Sequence, residues 1–279
     1  MRFSAEEFSQ SKHKRLTLLG MSGVGKTHLS KLLSADEKWY HYSGDYRIGA
    51  EYLNDAILSN IKHKIRQDED LAELLNNDSI RVKNHITFDN LSSVSSFLGK
   101  VGNPEQGGLP IDEFIRRQAL FYQAETLSML DVPAFIERAK AKGFNHFIND
   151  AGGSLCELDD DKVYQSLAEN TLIVYIRANE NNEFALIERA KNKPKPLYYN
   201  QEFLKKQLDI YLQENQLIYA AQINPDEFVR WIFPRLLEHR KPKYEAIAQQ
   251  YGYTINSEDL YQCQNANEVF ELIGATLCR

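Results

Sequence analysis

Leu16–Lys31, read as LTLLGMSGVGKTHLSK, passes from a short apolar run through a glycine-rich turn into residues spaced for a helix. Within it, Gly20-x-x-x-x-Gly25-Lys26-Thr27 is a complete Walker A sequence, with a strand pattern before and a helical one after. The chemistry explains the spacing. Glycines at 20, 23 and 25 let the backbone curl with its N–H groups turned inward, where a Cβ would interfere. Those donors, with the positive end of the following helix, make a cradle for the β-phosphate of a nucleotide. Lys26 is placed to reach the β- and γ-phosphates, and the Thr27 hydroxyl to hold Mg²⁺. The nucleotide-binding set is therefore Gly20, Ser22, Gly23, Val24, Gly25, Lys26, Thr27 and the adjoining His28. A plain turn joining any strand to any helix is the competing reading. It does not account for all four fixed positions in their proper flanks.

Composition bounds the rest. At 279 residues, 43% hydrophobic and 26% charged, the chain can bury a full core, as one large domain or one domain with an insert. A net charge of -6 argues against broad nucleic-acid binding. Cys156, Cys263 and Cys278 lie far apart, with no C-x-x-C pair and no zinc spacing, and read as reduced thiols of a cytoplasmic protein. Residues 1–15 read as a polar, solvated leader rather than a signal peptide. No apolar run reaches membrane-spanning length, so no membrane partner is expected.

Outward from the loop, a helix is expected over Lys26–Leu33 and a strand over Trp39–Tyr42. The strand leads into Ser43-Gly44-Asp45-Tyr46-Arg47. A glycine and a carboxylate at a strand end beside a phosphate loop point to a ligand, because α/β sheets bind ligands at strand C-termini. As a helix cap, Asp45 would be structural instead. From residue 50 to 143 the spacing turns helical over Glu51–Leu75, Asp112–Leu130 and Val132–Lys142, with 79–90 ambiguous between strand and loop and 97–108 a loop. That is far more chain than a crossover needs, and it reads as an inserted helical subdomain. Asn145–Asp150 is a buried strand ending in an acidic residue, a position suited to supporting Mg²⁺, followed by Gly152-Gly153. Thr171–Ile176 is the clearest strand. Helices are expected over Asn181–Ala190, Gln201–Gln213, Asp226–His239, Lys243–Gln250 and Ala266–Leu277, with a last strand at Tyr253–Asn256. Alternating strands and helices give an α/β fold: a three-layer parallel sheet flanked by helices, its core 1–49 and 144–279, with 50–143 inserted.

The order of Walker A, Gly44-Asp45 after the second strand, Gly152-Gly153 after the third, and a basic Arg189-to-Leu197 segment resembles the shikimate kinase and gluconate kinase group of small-molecule P-loop kinases. The resemblance covers the sheet and the segment about 180–200, but not 50–143. It implies that ATP and Mg²⁺ are used, that Asp45 holds or activates an acceptor hydroxyl, that Gly152 and Gly153 line the acceptor pocket, and that Arg189 closes over the transferring phosphate from a mobile lid. Two positions depart from the group. Ser43 stands where an acidic residue near the metal is common, a charge that Asp150 would supply. Lys191, Lys193 and Lys195 stand among lid positions that elsewhere hold arginines, and lysine lacks the bidentate fork.

The site set is then Lys26, Asp45 and Arg189 for catalysis; Asp45, Arg47, Gly152 and Gly153 for the acceptor; Thr27 and Asp150 for the metal. Arg47 serves equally well in a surface salt bridge; of Arg116-Arg117, one facing the acceptor is an alternative to the preferred reading of a solvated helix face. The expected activity is phosphoryl transfer from ATP to the hydroxyl of a small molecule. The alternative is an ATPase or nucleotide switch whose insert, 50–143, docks a protein partner. A kinase of nucleotides or nucleic-acid ends is a third reading, disfavoured in its nucleic-acid form by the acidic charge.

Overall fold

The computed structural model describes residues 5–34 and 38–278. Five strands, β1 (Arg15–Leu19), β2 (Trp39–Ser43), β3 (His146–Asp150), β4 (Leu172–Arg177) and β5 (Gly252–Asn256), form one parallel sheet in the order β2-β3-β1-β4-β5. Parallel strands covered on both faces read as continuous apolar runs, and β4, with Leu172 to Ile176 all buried, is the clearest case. β1 lies at the centre. Its register pairs Leu18 with Asp150, and Asp150 pairs in turn with Ser43, so three strands end at one level. The glycine loop, Gly44-Asp45 and the turn after Asp150 all leave the sheet at that edge.

Helices cover the two faces, and the chain between β2 and β3 is a mostly helical insertion. Its main element is the helix Ile111–Leu130, joined by Asn54–Ile65, Glu69–Asn76, Ser92–Leu98 and Val132–Ala141. The insertion does not keep its core to itself. Phe114 and Val101 pack with Phe203, Leu208, Phe228 and Ile232 of the C-terminal helices, while Phe121 and Ala124 share a cluster with Ile48 and Tyr198.

Several elements differ from the sequence reading. The helices expected over 226–239 and 243–250 are one helix, Pro225–Tyr251, with Pro234 and Pro242 inside it. Each interior proline costs about 3 kcal/mol, but Phe228, Val229, Ile232, Phe233, Leu236, Leu237, Tyr244 and Ile247 are buried along the same helix at about 1.5–3 kcal/mol each. Burial outweighs the breakers. Residues 79–90 contain only an isolated bridge between Thr87 and Asn90, not a strand. Phe97 and Leu98, expected in a loop, end the helix Ser92–Leu98, which stops at Gly99 with φ +64°. The leader is not wholly solvated: residues 1–4 fall outside the described residues, but Ala5–Gln10 is helical and Phe8 is buried against Phe270. Asp161–Asn170 and Ser257–Gln262 are further helices. Among the described residues no helix is long and apolar enough to cross a membrane.

Because Phe114, fully buried, ties the insertion to the C-terminal helices, Phe114→Ala should lower stability by about 3–5 kcal/mol in a single cooperative urea transition. A separate early transition, with the sheet unaffected, would contradict the shared core.

Candidate active site

The glycine loop has the backbone its sequence demands. Gly20, Gly23 and Gly25 have φ of +146°, +93° and +108°, which side-chain-bearing residues rarely adopt. A Cβ on Gly20 would also stand 2.8 Å from the Ile176 carbonyl oxygen. Lys26 is buried, its ammonium donating to the carbonyls of Gly20 at 2.5 Å and Met21 at 3.0 Å. Burial lowers its pKa; Asp150 and Asp45 oppose that by favouring the charged form. One of its three donors remains for an anion at the loop.

Thr27 Oγ1 donates to Asp150 Oδ2 at 2.9 Å, and His41 Nε2 lies 3.9 Å from the same oxygen. Register brings Asp150 to the end of the strand beside the one that feeds the loop, and the loop carries Thr27 to it. Asp45 follows β2 on the same side. The capping role weighed for it falls to Ser43, whose hydroxyl accepts from the Tyr46 N–H at 3.2 Å. Burial, with a smaller contribution from Asp150, raises the Asp45 carboxyl from 3.8 to about 6, and Lys26 opposes the rise.

The turn Gly152-Gly153 joins these parts. A Cβ on Gly153 would sit 2.9 Å from the Ser22 amide nitrogen, and one on Gly152 would sit 3.1 Å from Asp45 Oδ1. Only glycines let the turn press against the phosphate loop on one side and the carboxylate on the other. Arg189, on the helix Glu180–Asn192, lies over the loop: a Cβ on Gly23 would meet its guanidinium. Lys193 and Lys195 line a cleft with Ser22 and Arg189, whereas Lys191 pairs with Glu188 at 2.7 Å. His28 packs on the Tyr261 ring, 5.8 Å between centroids.

Arg47 is committed elsewhere. Its guanidinium donates to Asp131 at 2.7 Å and Glu51 at 3.0 Å and stacks on Phe135. Arg116 is exposed and paired with Glu113, but Arg117, expected on a solvated face, is buried and donates to Glu113, the Phe97 carbonyl and Asn60. The sequence shows it next to Arg116; the structure turns it inward.

Two groups of site neighbours escaped the sequence reading. Glu125, fully buried, accepts from Ser154 Oγ at 2.7 Å and is raised to about 8 by burial, with Asp45 adding to the rise. Arg240, also buried, donates to Glu157 at 2.9 Å and to the carbonyls of Gly153 and Tyr198 at 2.8 Å each. Burial alone would raise Glu157, but Arg240 and Lys243 outweigh it and hold the carboxyl below its ordinary range. A signal for Glu125 existed: it shares the inward stripe Phe114, Gln118, Phe121, Ser128 at helical spacing, where an ionisable residue is out of place.

Glu125 and Asp45 both hold protons in the fold at pH values where the unfolded chain has released them, between 4.5 and about 8 for Glu125 and between 3.8 and about 6 for Asp45. Stability is thus greatest at low pH on their account and is lost as pH rises through those windows. Thermal melts at pH 5, 6.5 and 8 should show a smaller decline for Glu125→Gln than for the wild type. Parallel declines would show that Glu125 is ionised in the fold.

No family model matches the chain, and no curated protein matches it. Among solved structures it is similar to a shikimate kinase from Bacteroides thetaiotaomicron, with 15% identity over 95% of each chain and a TM-score of 0.43. It is also similar to a shikimate kinase from Acinetobacter baumannii in complex with shikimate, with 16% identity over 92% of this chain and 93% of that one and a TM-score of 0.40. By its own strand order and glycine-rich loop, the chain is a P-loop α/β fold with a helical insertion.

Proposed function

We propose that the chain transfers the terminal phosphoryl group of ATP to a hydroxyl of a small molecule. The observation that carries this reading is the Gly152-Gly153 turn, which has Ser22 of the phosphate loop on one side and Asp45 on the other. A hydroxyl held by Asp45 therefore lies beside the phosphoryl chain held by the loop.

The geometry supports a role for each of these groups. Loop amides and Lys26 bind phosphate oxygens, and Arg189, over Gly23, neutralises charge on the group in transit. Asp45 Oδ1 accepts the hydroxyl hydrogen bond and takes its proton as the oxygen bonds to phosphorus and the bond to the leaving oxygen breaks. A carboxyl raised to about 6 is ionised at neutral pH yet more basic than an ordinary aspartate, which suits it to that proton. Thr27 and Asp150 supply hard oxygen ligands in contact with each other, a set that fits Mg²⁺ completed by phosphate oxygens and water. The metal would supply charge neutralisation across the β- and γ-phosphates.

A second reading, a nucleotide switch that docks a protein, is favoured by one feature. The helix Glu69–Asn76 buries no residue and leaves Leu71 and Leu74 exposed on the insertion. A partner that accelerates hydrolysis, with no metabolite doing so, would favour that reading over the kinase.

Two substitutions test the kinase. Lys26→Ala removes a charge-assisted contact and should weaken Mg-ATP binding by roughly 10–100-fold in calorimetry. Unchanged affinity would remove the loop from the account. Asp45→Asn should lower acceptor phosphorylation by about 10²–10⁴-fold while Mg-ATP affinity stays within about threefold. The wild-type kcat/KM for the acceptor should rise with pH through about 6. An active Asp45→Asn enzyme would exclude that carboxylate from proton transfer.

A further inference from the structure

We infer that Glu125 is an acceptor-binding residue, and that the compound phosphorylated here carries adjacent hydrogen-bond donors and no carboxylate or phosphate of its own. The inference rests on the kinase reading above.

The first ground is an oxygen. Glu125 is fully buried; its Oε2 accepts from Ser154, but its Oε1 has no hydrogen-bond partner. A buried polar atom is ordinarily satisfied, and each exception calls for a reason. Oε1 is aimed at Gly152, where a Cβ would stand 2.5 Å from it and 3.1 Å from Asp45 Oδ1. Two carboxyl oxygens from different elements converge on one point, next to the turn that touches the phosphate loop. Vicinal hydroxyls, or a hydroxyl beside an ammonium, present two adjacent donors. One would meet Asp45 and the other Glu125.

The second ground is charge. An acidic acceptor needs a cation directed at it, and the guanidinium donors of Arg240, Arg47 and Arg117 are directed to other groups. Arg240 donates to Glu157, Gly153 and Tyr198; Arg47 to Asp131 and Glu51; Arg117 to Glu113, Phe97 and Asn60. Lys26 and Arg189 belong to the phosphate loop, which the phosphoryl chain itself neutralises. A carboxylate brought beside Asp45 and Glu125 would add a third acid without a counter-ion. Burial keeps Glu125 protonated near neutrality, so a neutral acceptor finds one carboxylate and one carboxylic acid, able to accept and to donate. Glu125 lies on the helix Ile111–Leu130, so the insertion contributes the residue that discriminates among acceptors.

Neutral sugars or polyols and amino sugars share this chemistry. The test incubates the chain with γ-labelled ATP, Mg²⁺ and a small-molecule cell extract split by anion exchange at neutral pH, the unretained part split again by cation exchange to separate neutral from amino compounds. Label should appear chiefly on unretained compounds. A retained, acidic compound as the better acceptor overturns the inference and leaves the kinase reading intact; no label in any fraction overturns both. For the labelled compound, Glu125→Leu, which removes both carboxyl oxygens, should raise KM at least tenfold with Mg-ATP affinity unchanged. If that variant does not fold, Ser154→Ala, which frees the Glu125 carboxyl to turn, should raise KM severalfold. An unchanged acceptor KM in the folded variant removes Glu125 from the site.

Discussion

The carbonyl of Gly153 holds the wall shared by the two halves of the site. It accepts from Arg240 at 2.8 Å and from the Tyr244 hydroxyl at 2.6 Å, both from the long C-terminal helix. The turn pinned there presses on Ser22 of the phosphate loop and, one residue earlier, on Asp45 and Glu125. Arg240 is itself held by a buried ion pair with Glu157, which also meets Lys243 and His239. Breaking such a pair by removing one partner leaves an uncompensated buried charge, at a cost of about 3–5 kcal/mol. The proline-containing helix Pro225–Tyr251 therefore does more than cover the sheet: it fixes the distance between the loop and the carboxylates.

Charge is graded across this wall. On the loop side, inward amides, Lys26 and Arg189 make a positive basin. On the far side, burial keeps Glu125 protonated near neutrality while Asp45 is ionised, so that two acids stand close together without two full charges. Asp150 lies between, in contact with Thr27 and favouring the charged form of Lys26. The three carboxyl groups thus have different surroundings.

What the sequence could tell depended on how local each feature is. The Walker A run, the strand-end Gly44-Asp45 and the Gly152-Gly153 pair are contiguous signals, and parallel register alone brings them to one edge. The helix that carries Arg189 follows a central strand, which places the guanidinium over the loop. Arg240, Glu157 and Glu125 were not legible, since each acquires its meaning from partners 29 to 87 residues away. Pro242 read as a break between two helices because its cost is local, whereas the burial that offsets it is spread over the whole helix. Arg47, near Asp45 in sequence, turns to Asp131 and Glu51, in line with the salt-bridge reading weighed for it.

The central claim is that one glycine turn sets an acceptor group and a phosphoryl chain side by side. It is tested most directly by a crystal structure of the chain with Mg²⁺ and a non-hydrolysable ATP analogue. The account predicts the triphosphate inside the loop, with Lys26 and Arg189 on its terminal phosphoryl group and that group on the Asp45–Gly152 side. A triphosphate bound elsewhere, or a terminal group directed away from the Gly152-Gly153 turn, would contradict it.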